Sequence, residues 1–109
     1  MREIDPNVAV DHIIKTAPKF AEAKAQRVYL EEYRKTKKAL LMAESSAKTS
    51  AEREQYAYSH DEYAALLEGL RAAVEIEERL KWELTAAQAR VEVWRSMEAS
   101  NRGQDRAAR

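Results

Sequence analysis

The chain has 109 residues, with 19 basic and 19 acidic side chains, no cysteine, and only two glycines and two prolines. This length allows one domain, and the absence of cysteine excludes disulfides and thiolate chemistry. No apolar run approaches the roughly 20 residues needed to cross a bilayer, and the start of the sequence lacks a secretory signal, so a cytoplasmic location is expected. Ala, Glu, Lys, Arg and Leu dominate, which indicates an all-α, coiled-coil-like protein.

The first predicted element is a short helix over about 6–15. Asp5 can cap free backbone N–H groups, and Pro6 suits the first helical position. Pro18 is expected to end this segment, because proline lacks an N–H donor and clashes inside a helix. Residues 1–17 are therefore predicted to form an N-terminal arm.

A longer helix is predicted from about 18 to 46. Its apolar residues recur at three- and four-residue spacings, which indicates one buried stripe. Gln26 and Lys37 are polar interruptions of that stripe. The predicted stripe consists of Phe20, Ala23, Leu30, Tyr33, Leu40 and Ala47.

A connector over 47–59 separates this helix from the next one. The stretches Thr49–Glu52 and Ser59–Glu62 both match the capping box, so a short helix is expected at about 50–58. Three tyrosines crowd this region. They either pin the connector onto the helices or anchor a protein partner. These tyrosines are Tyr56, Tyr58 and Tyr63.

The second long helix, predicted over about 60–101, carries the clearest pattern. With Tyr63 at heptad position a, nine of the twelve a and d positions are apolar, as a helix–helix seam requires. Asn101 and Gly103 are expected to end the helix, leaving 104–109 as a flexible tail. The a and d positions are Tyr63, Leu66, Leu70, Ala73, Glu77, Leu80, Leu84, Ala87, Val91, Trp94, Glu98 and Asn101.

Residues 18–103 are therefore predicted to form a long antiparallel helical hairpin. Residues 1–48 carry a net charge of +3 and residues 49–101 a net charge of −5, which favours antiparallel pairing. Folding at the connector pairs Leu40 with about Leu67, Leu30 with Glu77, and Phe20 with about residue 87.

The first arm then ends opposite about residue 88, which leaves Val91, Trp94 and Met97 uncovered unless the 6–15 segment turns at Pro18 and covers them or another chain does. A second apolar stripe, formed by Trp82, residues 86 and 89, and Val93, lies on the other side of the helix. A helix that is apolar on two faces is buried on both, so we predict a homodimer that forms a helical bundle. The predicted interface residues are Leu70, Trp82, Leu84, Val91, Val93 and Trp94.

The sequence contains no recognisable catalytic constellation. His12 and His60 lie on different predicted elements, and a metal site needs three or four ligands. The two glycines are too far apart for a phosphate-binding loop. We expect a protein that is not an enzyme and that has no cofactor or metal.

A basic cluster lies close to Tyr29 and Tyr33. Cations interleaved with aromatic rings suit single-stranded nucleic acid, because bases stack on rings while cations contact phosphates. The favoured alternative places Tyr33 in the seam and the basic residues on a solvated surface. The cluster consists of Arg34, Lys35, Lys37 and Lys38.

Two stretches, EREQYAYSHDEY at 52–63 and RVEVWRSMEAS at 90–100, resemble short helical proteins of unassigned function encoded by tailed bacteriophages and prophages. The resemblance implies a phage accessory protein that works with replication or recombination proteins in a bacterial host, and it carries over no catalytic residues. The leading hypothesis is a non-enzymatic protein that self-associates and docks on an unidentified protein. The alternatives are an accessory nucleic-acid binder and an inhibitor of a host enzyme.

Overall fold

The computed structural model describes residues 3–108, and this part of the chain is all-α. It contains three helices: α1 (Pro6–Glu44), α2 (Ser50–Ser59) and α3 (Asp61–Ala108). None of these described helices has a stretch long and apolar enough to cross a membrane. The chain divides into two compact units. We call residues 21–78 the connector unit, and residues 3–20 together with 79–108 the terminal unit.

The helix α1 passes through Pro18 without a break, so the predicted short helix at 6–15 is wrong. Its start agrees with the sequence, since an Asp5 carboxylate oxygen accepts a hydrogen bond from the Asn7 N–H at 2.9 Å. Proline inside a helix costs about 3 kcal/mol. The same stretch of α1 buries Ala9 and Thr16 within the terminal unit, and this packing offsets the lost hydrogen bond.

The helix α3 does not end at Asn101 or Gly103 but continues to Ala108. Gly103 does not adopt the positive φ of a helix-ending glycine. The residues after it favour a helix, and Arg106 in the last turn complements the helix dipole. The predicted tail at 104–109 is therefore helical as far as Ala108, and residue 109 lies outside the described residues.

The predicted connector helix is confirmed as α2. The Thr49 hydroxyl caps it by accepting a hydrogen bond from the Glu52 N–H at 3.2 Å. The second predicted capping box is wrong in its capping residue. The Nδ1 of His60 accepts from the Glu62 N–H at 3.0 Å, whereas the Ser59 hydroxyl donates to carbonyl groups one turn earlier. An imidazole nitrogen thus takes the place of the expected hydroxyl.

The predicted heptad of α3 is confirmed by its pattern of burial. In each unit, the residues of α3 that are buried or half-buried are all at a and d positions, and the other described α3 side chains are exposed. Among the predicted a and d positions only Asn101 is exposed, and Asp105, the next a position beyond the predicted heptad, is exposed as well. In the connector unit the buried and half-buried set is Tyr63, Leu66, Leu70, Ala73 and Glu77. In the terminal unit it is Leu80, Leu84, Ala87, Val91, Trp94 and Glu98.

The buried stripe of α1 differs from the prediction near its end. Leu41 is fully buried and packs with Ala57 and Tyr63, whereas Leu40 is 53% exposed. The stripe also includes Arg27 in place of the exposed Gln26. Residues that face a neighbouring helix recur every seven residues, in alternating steps of three and four. The step after residue 37 is four residues long, so Leu41 faces the neighbouring helix and Leu40 does not.

Two ion pairs show that α1 and α3 run antiparallel within the connector unit. Arg27 pairs with Glu77, and Lys37 pairs with Glu62, so the partner number falls as the position along α1 rises. The predicted register placed Leu30 beside Glu77. The observed partner of Glu77 is Arg27, about one helical turn before Leu30. The predicted register considered only apolar residues of α1, whereas a buried carboxylate requires a cation.

Candidate interaction surfaces

The one acidic residue at a heptad a position of the connector unit is held by an arginine from α1. The Nε and Nη2 atoms of Arg27 donate to the two carboxylate oxygens of Glu77 at 2.7 and 2.9 Å. Another guanidinium nitrogen donates to Glu31 at 3.0 Å. The hydrogen bonds to Glu77, and to a smaller extent the one to Glu31, raise the pKa of Arg27 above its usual value. Glu77 is only 8% exposed, so this carboxylate serves the packing of the helices.

Two lysines of the basic cluster form hydrogen bonds with carboxylates. Lys37 donates to Glu62 at 2.7 Å, and Lys38 donates to Glu54 at 2.6 Å. The hydrogen bond to Glu62 raises the pKa of Lys37 above its usual range. Any phosphate must compete with these carboxylates for both ammonium groups. This arrangement disfavours the cluster as a nucleic-acid site.

The remaining members of the basic cluster are on the surface. Lys35 lies 3.4 Å from Glu32 in an exposed pair, and Arg34 is also exposed. The neighbouring Tyr29 and Tyr33 stack on each other, with ring centroids 5.9 Å apart and planes 12° apart. One face of Tyr33 is thus covered by a protein ring instead of being open to a base.

The connector tyrosines pack chiefly against the chain itself. Tyr63 is buried, and the ring of Tyr58 meets it edge-on at 5.3 Å. The ammonium group of Lys38 lies 4.8 Å from the centroid of Tyr58, and Tyr56 meets His60 edge-on at 5.6 Å. Tyr56 and Tyr58 each keep a substantial exposed fraction. Of the three predicted partner contacts, these two present surface to solvent.

The second apolar stripe of α3 is exposed along its whole length. Trp82 is 62% exposed, with its ring 5.8 Å from the ammonium group of Lys81. The stripe occupies the c and f heptad positions and continues beyond the predicted end of the helix without a charged side chain. We call it the outer row; it consists of Trp82, Ala86, Ala89, Val93, Ser96, Ser100, Gly103 and Ala107.

Four of the six predicted dimer-interface residues lie in the seam of the single chain. Leu70 is half-buried in the connector unit, and Leu84, Val91 and Trp94 are half-buried in the terminal unit. Trp94 shares a small cavity with residues 3–6 at the start of α1. The predicted gap opposite Trp94 is therefore bordered by residues 3–6 of the same chain, because α1 has no break at Pro18. The other two predicted residues, Trp82 and Val93, belong to the outer row.

The outer row borders a groove in the terminal unit. The groove is lined by Glu3, Ile4 and Asp5 before α1, by Val8, Ala9 and His12 from α1, and by Glu83, Ala86 and Arg90 from α3. The exposed side chains of Glu83 and Arg90 thus stand beside the row, at heptad position g. These two g positions place one negative and one positive charge next to an apolar surface.

Each histidine has a structural role in the terminal or connector unit. The Nε2 of His12 lies 3.4 Å from the Thr16 hydroxyl and 3.8 Å from the Glu83 carboxylate, while His60 caps α3. Within residues 3–108, no group of three or more His, Cys, Asp or Glu side chains could hold a metal ion.

Comparison of the chain with protein-family models, with curated proteins and with solved structures found no match in any of the three.

Proposed function

We propose that this chain is a non-enzymatic protein that acts through protein–protein interaction, as a helical hairpin that self-associates through the outer row of α3. The observation that carries the proposal is Trp82, a ring 62% exposed in an uncharged helical row. Burying a large apolar side chain contributes about 1.5–3 kcal/mol. A helix with apolar residues on two faces gains this free energy only when a second surface covers the outer one.

A second copy of the chain is the simplest occupant of the outer row. Most soluble oligomers are symmetric homo-oligomers, and dimers with a two-fold axis are the commonest. Ala86 and Ala89 lie next to Trp82 in the row, and their small side chains allow two helices to approach closely. Two hairpins that meet in this way form a dimeric helical bundle.

A further protein partner is proposed to dock at α2. Tyr56 and Tyr58 are 39% and 51% exposed there, and partly exposed tyrosines are common anchors of protein interfaces. Both rings are held by contacts within the chain. A partner would therefore meet rings that have already lost most of their conformational freedom.

The biological setting that we propose is a phage or prophage accessory role in a bacterial cytoplasm. This setting depends only on the resemblance, which covers most of residues 25–109 and is most specific over residues 90–100. The nucleic-acid alternative is less favoured because Lys37 and Lys38 already pair with carboxylates. The host-enzyme inhibitor stays a prediction.

Sedimentation equilibrium of the full chain over a wide concentration range tests self-association. The proposal predicts a mass that approaches twice the 12.5 kDa of one chain. A single-chain mass at every concentration would contradict it. Anisotropy of labelled single-stranded DNA, measured on the same sample at low salt, tests the less favoured alternative, and salt-dependent binding there would bring it to first place.

A further inference from the structure

We infer that two copies pair their outer rows antiparallel, with Trp82 of one copy against Val93 of the other and Glu83 of each opposite Arg90 of the other. This inference rests on the proposed self-association and adds its direction and register. The four residues all lie on α3 within the terminal unit, and all four are exposed in the single chain.

The apolar row itself favours this register. When two helices pack antiparallel along a heptad row, each f position lies against a c position of the other helix. Trp82 and Ala89 are f positions, and Ala86 and Val93 are c positions. Placing Ala86 against Ala89 also places Trp82 against Val93, because both larger residues lie four residues outside the alanine pair. The small alanine side chains then meet at the two-fold axis. Each Trp82 ring lies farther from the axis and is covered by Val93 of the other copy.

The charges beside the row select the same register. In an antiparallel pair, the g positions that border this row face g positions of the other helix. The register above sets Glu83 opposite Arg90, and the two-fold axis repeats the contact. Both side chains stand at the edge of the groove beside Ala86, so each can reach across to a second helix.

Neighbouring registers bring like charges together. A shift of one heptad toward the C-terminus sets Arg90 against Arg90 and Glu92 against Glu92. A shift of one heptad toward the N-terminus sets Glu83 against Glu83. A parallel pair in register brings Arg90 opposite Thr85 and forms neither ion pair. Like charges held opposite each other are destabilising, so charge complementarity favours the proposed arrangement.

Charge reversal with rescue in trans tests this register. Glu83→Arg and Arg90→Glu each place like charges at both symmetric contacts, and each should raise the dimer dissociation constant about tenfold at low salt. An equimolar mixture of the two variants should restore the affinity, because the mixed dimer has opposite charges at both contacts. Arg102→Glu is the matched control, since this exposed arginine lies at an e position away from the row, and it should leave the affinity unchanged.

The outcomes separate the register from self-association. A wild-type chain that stays a monomer contradicts the proposed function and this inference together. A wild-type dimer whose affinity survives both reversals, or is not restored by mixing, overturns the register and leaves self-association intact. Arg90→Glu guards against a local effect of Glu83→Arg, because Glu83 also lies near His12.

A single cysteine in this cysteine-free chain gives an independent measurement of direction. The antiparallel register separates the two copies of residue 100 by roughly 37 Å along the helix axis. Ser100→Cys should therefore form no disulfide within the dimer. A parallel pair holds the two residues side by side, so rapid formation of a disulfide-linked dimer would overturn the antiparallel arrangement.

Discussion

The guanidinium of Arg27 in α1 binds the carboxylate of Glu77 in α3 through two hydrogen bonds of 2.7 and 2.9 Å. The pair lies in the seam of the connector unit, at an a position of the heptad, where the other a positions of that unit are Tyr63 and Leu70. A two-point pair of this kind is geometrically specific, while its net contribution to stability is small compared with that of well-packed apolar side chains. We therefore assign it to fixing the register of the two helices.

Removing one partner of this pair should destabilise the fold. Glu77→Ala leaves the Arg27 guanidinium half-buried without its main acceptor. The loss of unfolding free energy, measured by urea denaturation, should be roughly threefold larger than for Glu68→Ala, which breaks an exposed ion pair with Arg71 on the same helix. Replacing both partners, by Arg27→Met with Glu77→Leu, should restore most of the stability. Equal losses for the two single variants would contradict the structural role of the pair.

Two neighbouring leucines near the end of α1 should respond very differently to truncation. Leu41 is fully buried, whereas Leu40 is 53% exposed. Leu41→Ala should lower the unfolding free energy by about 2–5 kcal/mol, because it leaves a cavity in the small core of the connector unit. Leu40→Ala is the matched control and should cost less than about 1 kcal/mol. Thermal or urea unfolding of both variants measures the difference, and the reverse order would show that the register of α1 is wrong.

The two prolines of α1 should also differ in their effect. Pro18 lies inside the helix and Pro6 is its first residue. Pro18→Ala restores a backbone donor and removes a steric clash, so it should stabilise the protein by up to about 3 kcal/mol. Pro6→Ala should be neutral or slightly destabilising, because the first helical position has no partner for an N–H group. Differential scanning calorimetry compares the two variants, and a destabilising Pro18→Ala would indicate a helix break at residue 18.

The Lys37–Glu62 pair predicts how stability depends on pH. The hydrogen bond from Lys37 lowers the pKa of Glu62 below its usual value, so the folded state binds this proton less readily than the unfolded chain. The contribution is therefore present above the ordinary carboxylate pKa of about 4.3, and it is lost as the pH falls through the lowered value. The melting temperatures of wild type and Glu62→Gln should differ at pH 7 and converge in acid.

Glu52→Gln is the control for this pH dependence, since it alters another first-turn carboxylate, in α2. Near neutral pH, the melting temperature of Glu52→Gln should differ from that of wild type by less than the melting temperature of Glu62→Gln does. If the difference in melting temperature between wild type and Glu62→Gln is the same at acidic pH, the ion pair is not the cause of that difference.

Much of the fold could be predicted from local patterns. The heptad that begins at Tyr63 is long and regular, so it specified which face of α3 is buried, and the capping box at Thr49 located α2. The break at Pro18 was wrong because a sequence pattern shows the cost of a proline and not the packing of Ala9 and Thr16 that offsets it. The burial of Leu41 instead of Leu40 depended on whether the buried stripe of α1 advances by three or four residues after residue 37. This spacing is set by packing against the neighbouring helix.

The candidate site was less predictable, because its contacts join residues distant in the sequence. Lys37 and Lys38 looked like a basic cluster, and their acidic partners lie 25 and 16 residues away. The periodicity around Trp82 did reveal the apolar stripe. Its continuation at Ser96 and Ser100 was missed because serine is not apolar, and its continuation at Gly103 and Ala107 was missed because the helix was expected to end near Asn101.

The measurement that tests the central claim most directly is sedimentation equilibrium of the wild-type chain, Trp82→Ala and Tyr29→Ala. Trp82 and Tyr29 are 62% and 61% exposed, so the control removes a similarly exposed ring from another helix. We predict a wild-type dimer, a dissociation constant at least about tenfold higher for Trp82→Ala, and no change for Tyr29→Ala. A dimer of unchanged affinity in Trp82→Ala, or a wild-type chain that is a monomer throughout, would contradict self-association through the outer row of α3.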